Sequence, residues 1–185
     1  NSMADYAVKA TKTTLSASRL AAILSKACDD LYMQSPGDDT TVAVARIIHA
    51  KPVNIFTGPP MNKEDDAKVI HEFMRGPAKR IVSGGTSANI VARILHKQIK
   101  TSLNYTDPVL PPIATIDGID LVTEGVLTLT RALQLMKQYV EEDVDEAFFL
   151  ELDKDNGGSK IAKIIIEDCT ELHFFVGKAI NAAHQ

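Results

Sequence analysis

The stretch from Val53 to Leu95 decides the predicted fold, and it reads VNIFTGPPMNKEDDAKVIHEFMRGPAKRIVSGGTSANIVARIL. Two short apolar runs, Val53–Thr57 and Arg80–Ser83, have the composition of buried strands. Each run is followed by a segment with helical spacing, Lys63–Arg75 and then Thr86–Leu95. Glycines and prolines separate the segments: Gly58-Pro59-Pro60, Gly76-Pro77 and Gly84-Gly85. This alternation predicts an α/β fold, with a mostly parallel sheet and helices on both faces.

The flanking segments divide the chain at Ala50. Before it, the spacing predicts a helix over Thr14–Met33 and a strand over Thr41–Ile48, which together cannot form an independent domain. We therefore expect residues 1–50 to end a preceding domain and residues 51–185 to form the α/β domain, cut short at its C-terminus. The remaining predictions are an extended connection at Tyr105–Pro112, strands at Ile113–Ile116, Ile119–Thr123 and His173–Val176, helices at Gly125–Val140 and Lys160–Cys169, a loop at Asn156–Gly158 and a helix N-cap at Ser159.

Composition excludes several classes of function. The 185 residues carry a formal net charge of -4, and the pI is about 5.7, so the basic surface that nucleic acids select is not expected. No apolar run reaches the roughly 20 residues that span a bilayer. Cys28 and Cys169 are expected to be free thiols in a reducing compartment. We predict a cytoplasmic protein that contacts neither nucleic acid nor membrane.

The best candidate for ligand binding is the turn Ser83-Gly84-Gly85-Thr86-Ser87. A strand, two glycines and a helix start place free backbone N–H groups and a positive dipole end where an anion can sit. Gly58, at the end of the preceding strand, is expected to line the same crevice, since ligands of parallel sheets bind beyond the C-terminal strand ends. The predicted site is Gly58, Gly84, Gly85, Thr86 and Ser87. The alternative is a tight turn with an ordinary Thr or Ser cap and no ligand.

A second candidate is the acidic pair Asp38-Asp39, which follows Pro36-Gly37. Paired carboxylates at the mouth of a strand supply the oxygen ligands that Mg²⁺ and Mn²⁺ prefer. The alternative is a polar turn before an edge strand. Other possible sites fail on spacing: Asp153–Gly158 lacks the ligands of a calcium loop, and the five histidines are scattered.

The segments Ala27–Met33 and Gly37–Arg46 resemble the end of a type 2C metal-dependent serine/threonine phosphatase domain, in its stage II sporulation protein E (SpoIIE-like) form. Beyond Lys51 the chain resembles the α/β extension behind that domain in some bacterial members. The stretches that carry this second resemblance are Phe56–Pro60, Ile81–Arg93, Ile119–Gly125 and Glu167–Ala179.

The resemblance implies that this chain is the C-terminal part of a larger enzyme. The parent would hydrolyse phosphoserine or phosphothreonine in a protein substrate through two Mn²⁺ or Mg²⁺ ions. Asp38 would be one metal ligand, and Asp39 would lie behind it. The family's other aspartates have no counterpart ahead of the first predicted helix, so this chain alone is expected to be inactive, to hold no tightly bound metal and to act as a regulatory or dimerising module. The alternative is a sensor or enzyme that binds a small molecule or nucleotide at Gly84-Gly85.

Overall fold

The computed structural model describes residues 2–33, 35, 37–101, 113–141 and 144–179. Its strands are β1 Pro52–Thr57, β2 Lys79–Ser83, β3 Lys100–Thr101, β4 Ala114–Thr115, β5 Leu121–Thr123 and β6 Glu171–Val176. Its α-helices are α1 Met3–Ala10, α2 Ala17–Leu31, α3 Asp66–Phe73, α4 Gly85–Leu95, α5 Val126–Glu141, α6 Glu146–Leu152 and α7 Gly157–Lys163. A 3₁₀ turn, Lys63–Asp65, precedes α3, and a π-helical turn, Ile164–Asp168, follows α7.

The strands form one six-stranded sheet in the order β3-β4-β5-β2-β1-β6. Strands β5, β2, β1 and β6 are parallel, whereas β3 and β4 add antiparallel pairs at one edge. The chain passes from β1 to β2, crosses to β3 at the far edge, returns inward through β4 to β5, and then reaches β6 on the other side of β1. The predicted α/β class with a mostly parallel sheet is confirmed.

Helices cover both faces of this sheet, as the sequence predicts. On one face, Val53, Ile55 and Ile81 pack against α5, α6 and α7. On the other face, Phe56 and Val82 pack against α3 and α4. Alternate residues of one strand thus enter opposite cores, because side chains in a strand point alternately to the two sides. The parallel strands are apolar on both faces for this reason.

The predicted strand Thr41–Ile48 is wrong. This segment contains neither helix nor strand, although Val42, Val44 and Arg46 alternate as half-buried residues between exposed neighbours. The segment pairs with no strand among the described residues. Arg46 instead contacts the turn after α7, where its guanidinium donates to the Glu167 carbonyl and lies 3.6 Å from Asp168. Composition alone gives strand propensity but does not specify a pairing partner.

The glycine-rich segment after α6 also differs from the prediction. Asn156, Gly157 and Gly158 were expected to form a loop, with Ser159 as the N-cap. Instead Asn156 is the N-cap of α7, and its side chain accepts a hydrogen bond from the Ser159 N–H at 2.8 Å. Both glycines lie buried in the first turn, so they serve packing and not chain reversal.

Three further differences concern helix extent. The first predicted helix is shorter, Ala17–Leu31, and α1 and α6 were not predicted. The Lys160–Cys169 prediction corresponds to α7 and the π-helical turn together. The predicted connection Tyr105–Pro112 lies outside the described residues. None of the helices in the described part of the chain has the length and apolar character needed to cross a membrane.

Candidate functional site

A cleft of about 580 Å³ lies at the C-terminal ends of β1, β2 and β5. Its lining includes all five residues of the predicted ligand site, which come from two separate loops: Gly58, Gly84, Gly85, Thr86 and Ser87. The β5–α5 junction, Glu124 and Gly125, forms the opposite wall. The parallel topology brings these loops together, since each follows the same end of its strand.

Gly84 immediately precedes α4 and has φ +107°, a conformation that favours glycine. Its N–H donates to the Thr123 carbonyl at 2.9 Å, which ties the turn to β5. Gly84 is also the N-cap residue, and it supplies no side-chain hydrogen bond to the helix. The expected Thr or Ser cap is therefore not the one that α4 uses, and the first-turn N–H groups are left without a capping side chain.

Two helix N-termini meet at this cleft. Helix α4 begins at Gly85, and α5 begins at Val126, immediately after Gly125. The first intrahelical bonds are Ala88 N–H to Gly84 O at 2.9 Å and Leu129 N–H to Gly125 O at 3.1 Å. The amides that precede Ala88 and Leu129 in each helix have no carbonyl one turn earlier within the helix. Their partial positive charge makes the cleft suitable for an anion.

Buried hydroxyl groups join the ends of β2 and β5, and one of them, Ser83, lines the cleft. The Ser83 hydroxyl donates to the Glu124 carbonyl at 2.9 Å, and the Thr123 hydroxyl contacts both groups. Ser87 also lines the cleft, and its hydroxyl makes no hydrogen bond to the described residues. Its oxygen is not a buried atom without a partner, because Arg80 Nε is the one such side-chain atom in the described part of the chain. The Ser87 hydroxyl is therefore accessible from the cleft, where a ligand can reach it.

The charge of the cleft limits what it can hold. In the described part of its lining, Glu124 is the one ionisable side chain, and no Lys or Arg contributes. A polyphosphate normally requires cationic side chains or a metal. The cleft therefore suits a ligand with a single phosphate or carboxylate and neutral polar groups.

The gap between β1 and β6, where the direction of strand addition reverses, is closed by backbone. Gly177 N–H donates to Thr57 O at 2.9 Å, and Ala179 N–H donates to Pro59 O at 3.1 Å. A Cβ on Gly177 would lie 2.1 Å from the Pro59 oxygen. Ligands of open parallel sheets commonly bind at this reversal point. Here the two loops pack on each other, and the open space lies over β1, β2 and β5. No local sequence pattern marks Gly177 for this contact.

The acidic pair Asp38-Asp39 is exposed and lies outside this cleft. Asp38 Oδ1 accepts a hydrogen bond from the Asp39 N–H at 2.8 Å, which is typical of a polar turn. The described residues contain no group of three or more His, Cys, Asp and Glu side chains placed to hold a metal. Two adjacent carboxylates do not complete a Mg²⁺ or Mn²⁺ site, so this chain's described residues do not fit the metal centre that the resemblance implies.

Sequence inspection also missed a charged cluster around Arg19. The Arg19 guanidinium donates to Asp153 Oδ1 at 3.0 Å and to Glu167 Oε1 at 3.2 Å, and it lies 5.0 Å from the Phe149 ring centroid. The hydrogen bond from Arg19 is the main reason that the pKa of Asp153 falls to about 2, with Lys163 adding to it. These contacts join α2 to α6 and to the turn after α7.

No protein-family model matches this sequence. Nor does any curated protein or solved structure. The function proposed below therefore rests on the geometry of the cleft and on the resemblance described above.

Proposed function

We propose that this chain is a ligand-sensing module whose cleft binds a small molecule bearing one anionic group, of the class of sugar phosphates and mononucleotides. The observation that carries this proposal is that α4 and α5 both begin at this cleft and that Gly84, the N-cap of α4, makes no side-chain hydrogen bond. The Ser87 hydroxyl lines the same cleft, beside the amides of Gly85 and Thr86. A phosphate oxygen would accept hydrogen bonds from all three groups.

The anion would sit between the two helix starts. Gly84 and Gly85 carry no side chain that would fill the space, and a Cβ built on Gly85 meets no atom within 4 Å. The rest of the ligand would extend along the apolar wall formed by Val126, Leu127 and Leu129. Sites for small molecules are typically mostly apolar with a few polar groups that fix the ligand's orientation, and this cleft has that pattern.

Binding without turnover is the role that this lining supports. Acid–base or nucleophilic catalysis needs a pair of side chains with matched roles, such as a base next to a nucleophile. Among the described lining residues, Glu124 has no His, Cys, Lys or second carboxylate beside it in the cleft. We therefore propose a sensor in preference to an enzyme.

We also propose, from the sequence resemblance, that the sensor is the C-terminal part of a cytoplasmic SpoIIE-like protein phosphatase. Asp38 would then join aspartates elsewhere in the parent to bind Mn²⁺ or Mg²⁺, and the phosphoprotein substrate would meet that part of the enzyme. The helix α2, which precedes Asp38, is fixed to the α/β unit through Arg19. A change that a ligand causes in the α/β unit could therefore reach the segment before Asp38 through the contacts of Arg19.

Thermal unfolding with glucose 6-phosphate as the probe tests the sensor. At about a hundred times Kd, binding stabilises a protein by about 2.7 kcal/mol, which is about 5 to 10 °C in Tm for a chain of this size. Gly85→Val should abolish this rise in Tm, because the valine side chain occupies the position of the anion. Gly37→Val is the matched control, since Gly37 is exposed and a Cβ there meets nothing within 4 Å. A rise that survives Gly85→Val would contradict the site.

The phosphatase relationship has a separate test. Incubated with Mn²⁺ and a phosphoserine peptide, the purified chain is expected to release no phosphate. Release that disappears in Asp38→Ala would show that this chain carries its own catalytic centre. Restoration of activity by a longer parent chain, again dependent on Asp38, is the result that the proposal predicts.

A further inference from the structure

We propose that β6 pairs with β6 of a second copy of this chain, antiparallel across a two-fold axis, so that the two sheets become continuous. Among the described residues, β6 is the last strand in the sheet order and no strand pairs with its outer edge; it has six residues, whereas the described part of β3 at the opposite edge has two. A long, open edge strand is a template for pairing with another strand. This inference is independent of ligand binding.

The free edge of β6 can be assigned from its register with β1. Gly177 N–H donates to Thr57 O, so Gly177 directs its backbone groups toward β1. Backbone groups alternate in direction along a strand. Phe175, His173 and Glu171 therefore also direct their backbone groups toward β1. The backbone groups of the residues between them, Leu172, Phe174 and Val176, point outward from the sheet.

The same three residues carry the apolar side chains of one face. Leu172 packs against the core below α5–α7, but Phe174 is 56% exposed and Val176 is 60% exposed. Monomeric proteins avoid two large apolar side chains on a free edge, and they commonly place Lys or Pro there instead. The six residues of β6, ELHFFV, contain neither.

The sequence of the strand is self-complementary. Antiparallel pairing centred on Phe174 places Phe174 opposite its own copy and Leu172 opposite Val176 of the second chain. Each hydrogen-bonded pair exchanges two bonds, so three such pairs give about six backbone hydrogen bonds. Leu172, Phe174 and Val176 of both chains then form one apolar row on a single face.

Charges at the two ends of β6 fit the same register. Glu171 precedes the apolar row and Lys178 follows it, and both are exposed. In the antiparallel arrangement, each end of the pair carries Glu171 of one copy and Lys178 of the other. The two side chains lie on opposite faces of the sheet, because neighbouring residues of a strand point to opposite sides, and Glu171 also contacts His173 of its own chain. A parallel arrangement would instead place both Glu171 side chains at one end and both Lys178 side chains at the other, so the charges favour the two-fold antiparallel pair.

Sedimentation equilibrium of the whole chain over a wide concentration range tests the proposal. The expected result is a monomer–dimer equilibrium for the natural sequence and a monomer for Phe174→Lys, with unchanged circular dichroism. Val140→Lys is the matched control, because Val140 is 80% exposed on α5, away from the edge. It should dimerise as the natural chain does. A natural chain that stays monomeric, or a dimer that persists in Phe174→Lys, would overturn the proposal.

A cross-link decides the matter if Phe174→Lys does not fold. Phe174→Cys is made in a Cys28→Ser, Cys169→Ser background and treated with oxidised glutathione. Directly opposed residues of a hydrogen-bonded pair have Cα atoms about 5.5 Å apart, within the range that a disulfide spans. A disulfide-linked dimer is expected from Phe174→Cys and not from Val140→Cys. Equal linkage of the two variants, or none, would contradict pairing at β6.

Discussion

Gly84 and Gly125 approach each other across the floor of the cleft, and a Cβ built on Gly125 would lie 3.6 Å from the Cα of Gly84. Each residue immediately precedes a helix, α4 or α5. Their close approach brings the two helix starts to one cleft. The amides that a ligand would use are thus held in place by the sheet before any ligand arrives.

Gly84→Ala and Gly85→Ala should have opposite effects on stability. Gly84 has φ +107°, where an L side chain is strained, so Gly84→Ala should lower the free energy of unfolding by about 1–3 kcal/mol. Gly85 has open space around its Cβ position and lies in a helix, so alanine there should add up to about 1 kcal/mol. Urea unfolding of both variants measures the difference. Equal midpoints would contradict the described conformation of the turn.

Gly158→Ala should weaken the packing of α7 on α5. A Cβ there would lie 2.7 Å from the Cβ and Cγ of Arg131 and 3.3 Å from the Thr128 carbonyl oxygen. Forcing an extra carbon into such a contact typically costs about 1–3 kcal/mol. Gly37→Ala is the control, because nothing lies within 4 Å of its Cβ position. If both variants unfold at the natural midpoint in urea, α7 does not pack on α5 as described.

Arg19→Met should release α2 without unfolding the sheet. The substitution keeps an apolar stem but removes the hydrogen bonds to Asp153 and Glu167. Hydrogen exchange should then accelerate in the amides of α2 and remain slow in β1 and β2. Lys26→Met, on the same helix, removes one exposed i,i+4 ion pair and should change little. Equal acceleration in both variants would show that Arg19 does not anchor the helix.

Acid should detach α2 through Asp153. The pKa of this carboxyl is lowered in the folded protein from 3.8 to about 2. A lowered folded pKa means that the stabilising contribution is present above about pH 4 and is lost as the pH falls toward 2. Protection of the α2 amides should decline over that window, and the decline should be smaller in Arg19→Met. An identical pH dependence in the two proteins would show that ionised Asp153 does not hold α2 in place through Arg19.

The sheet and its cleft were predictable because local signals agree with the global topology there. Val53–Thr57 and Arg80–Ser83 are apolar on both faces, as buried parallel strands must be. Once two parallel strands are assigned, their C-terminal loops necessarily lie at one edge, and Gly58 joins Gly84 without any further information. The closure of the β1–β6 gap could not be foreseen, because it depends on the contact of Gly177 with Pro59, far away in sequence.

The errors arise where a local pattern has more than one physical outcome. Two adjacent glycines at 157 and 158 favour a loop by conformational freedom, but in this chain they permit contact with Thr123, Thr128 and Arg131. The segment 41–48 has the composition of a strand and finds no partner. Arg19 carried no signal at all, since its partners Asp153 and Glu167 lie more than a hundred residues later.

An amide NMR titration of the whole chain with glucose 6-phosphate measures ligand binding at the cleft directly. Saturable shifts in the backbone amides of Gly85, Thr86 and Ser87 are expected, and they should be absent in Gly85→Val and unchanged in Gly37→Val. Shifts confined to residues outside the cleft, or no shift in those three amides at a high concentration of glucose 6-phosphate, would contradict the proposed function.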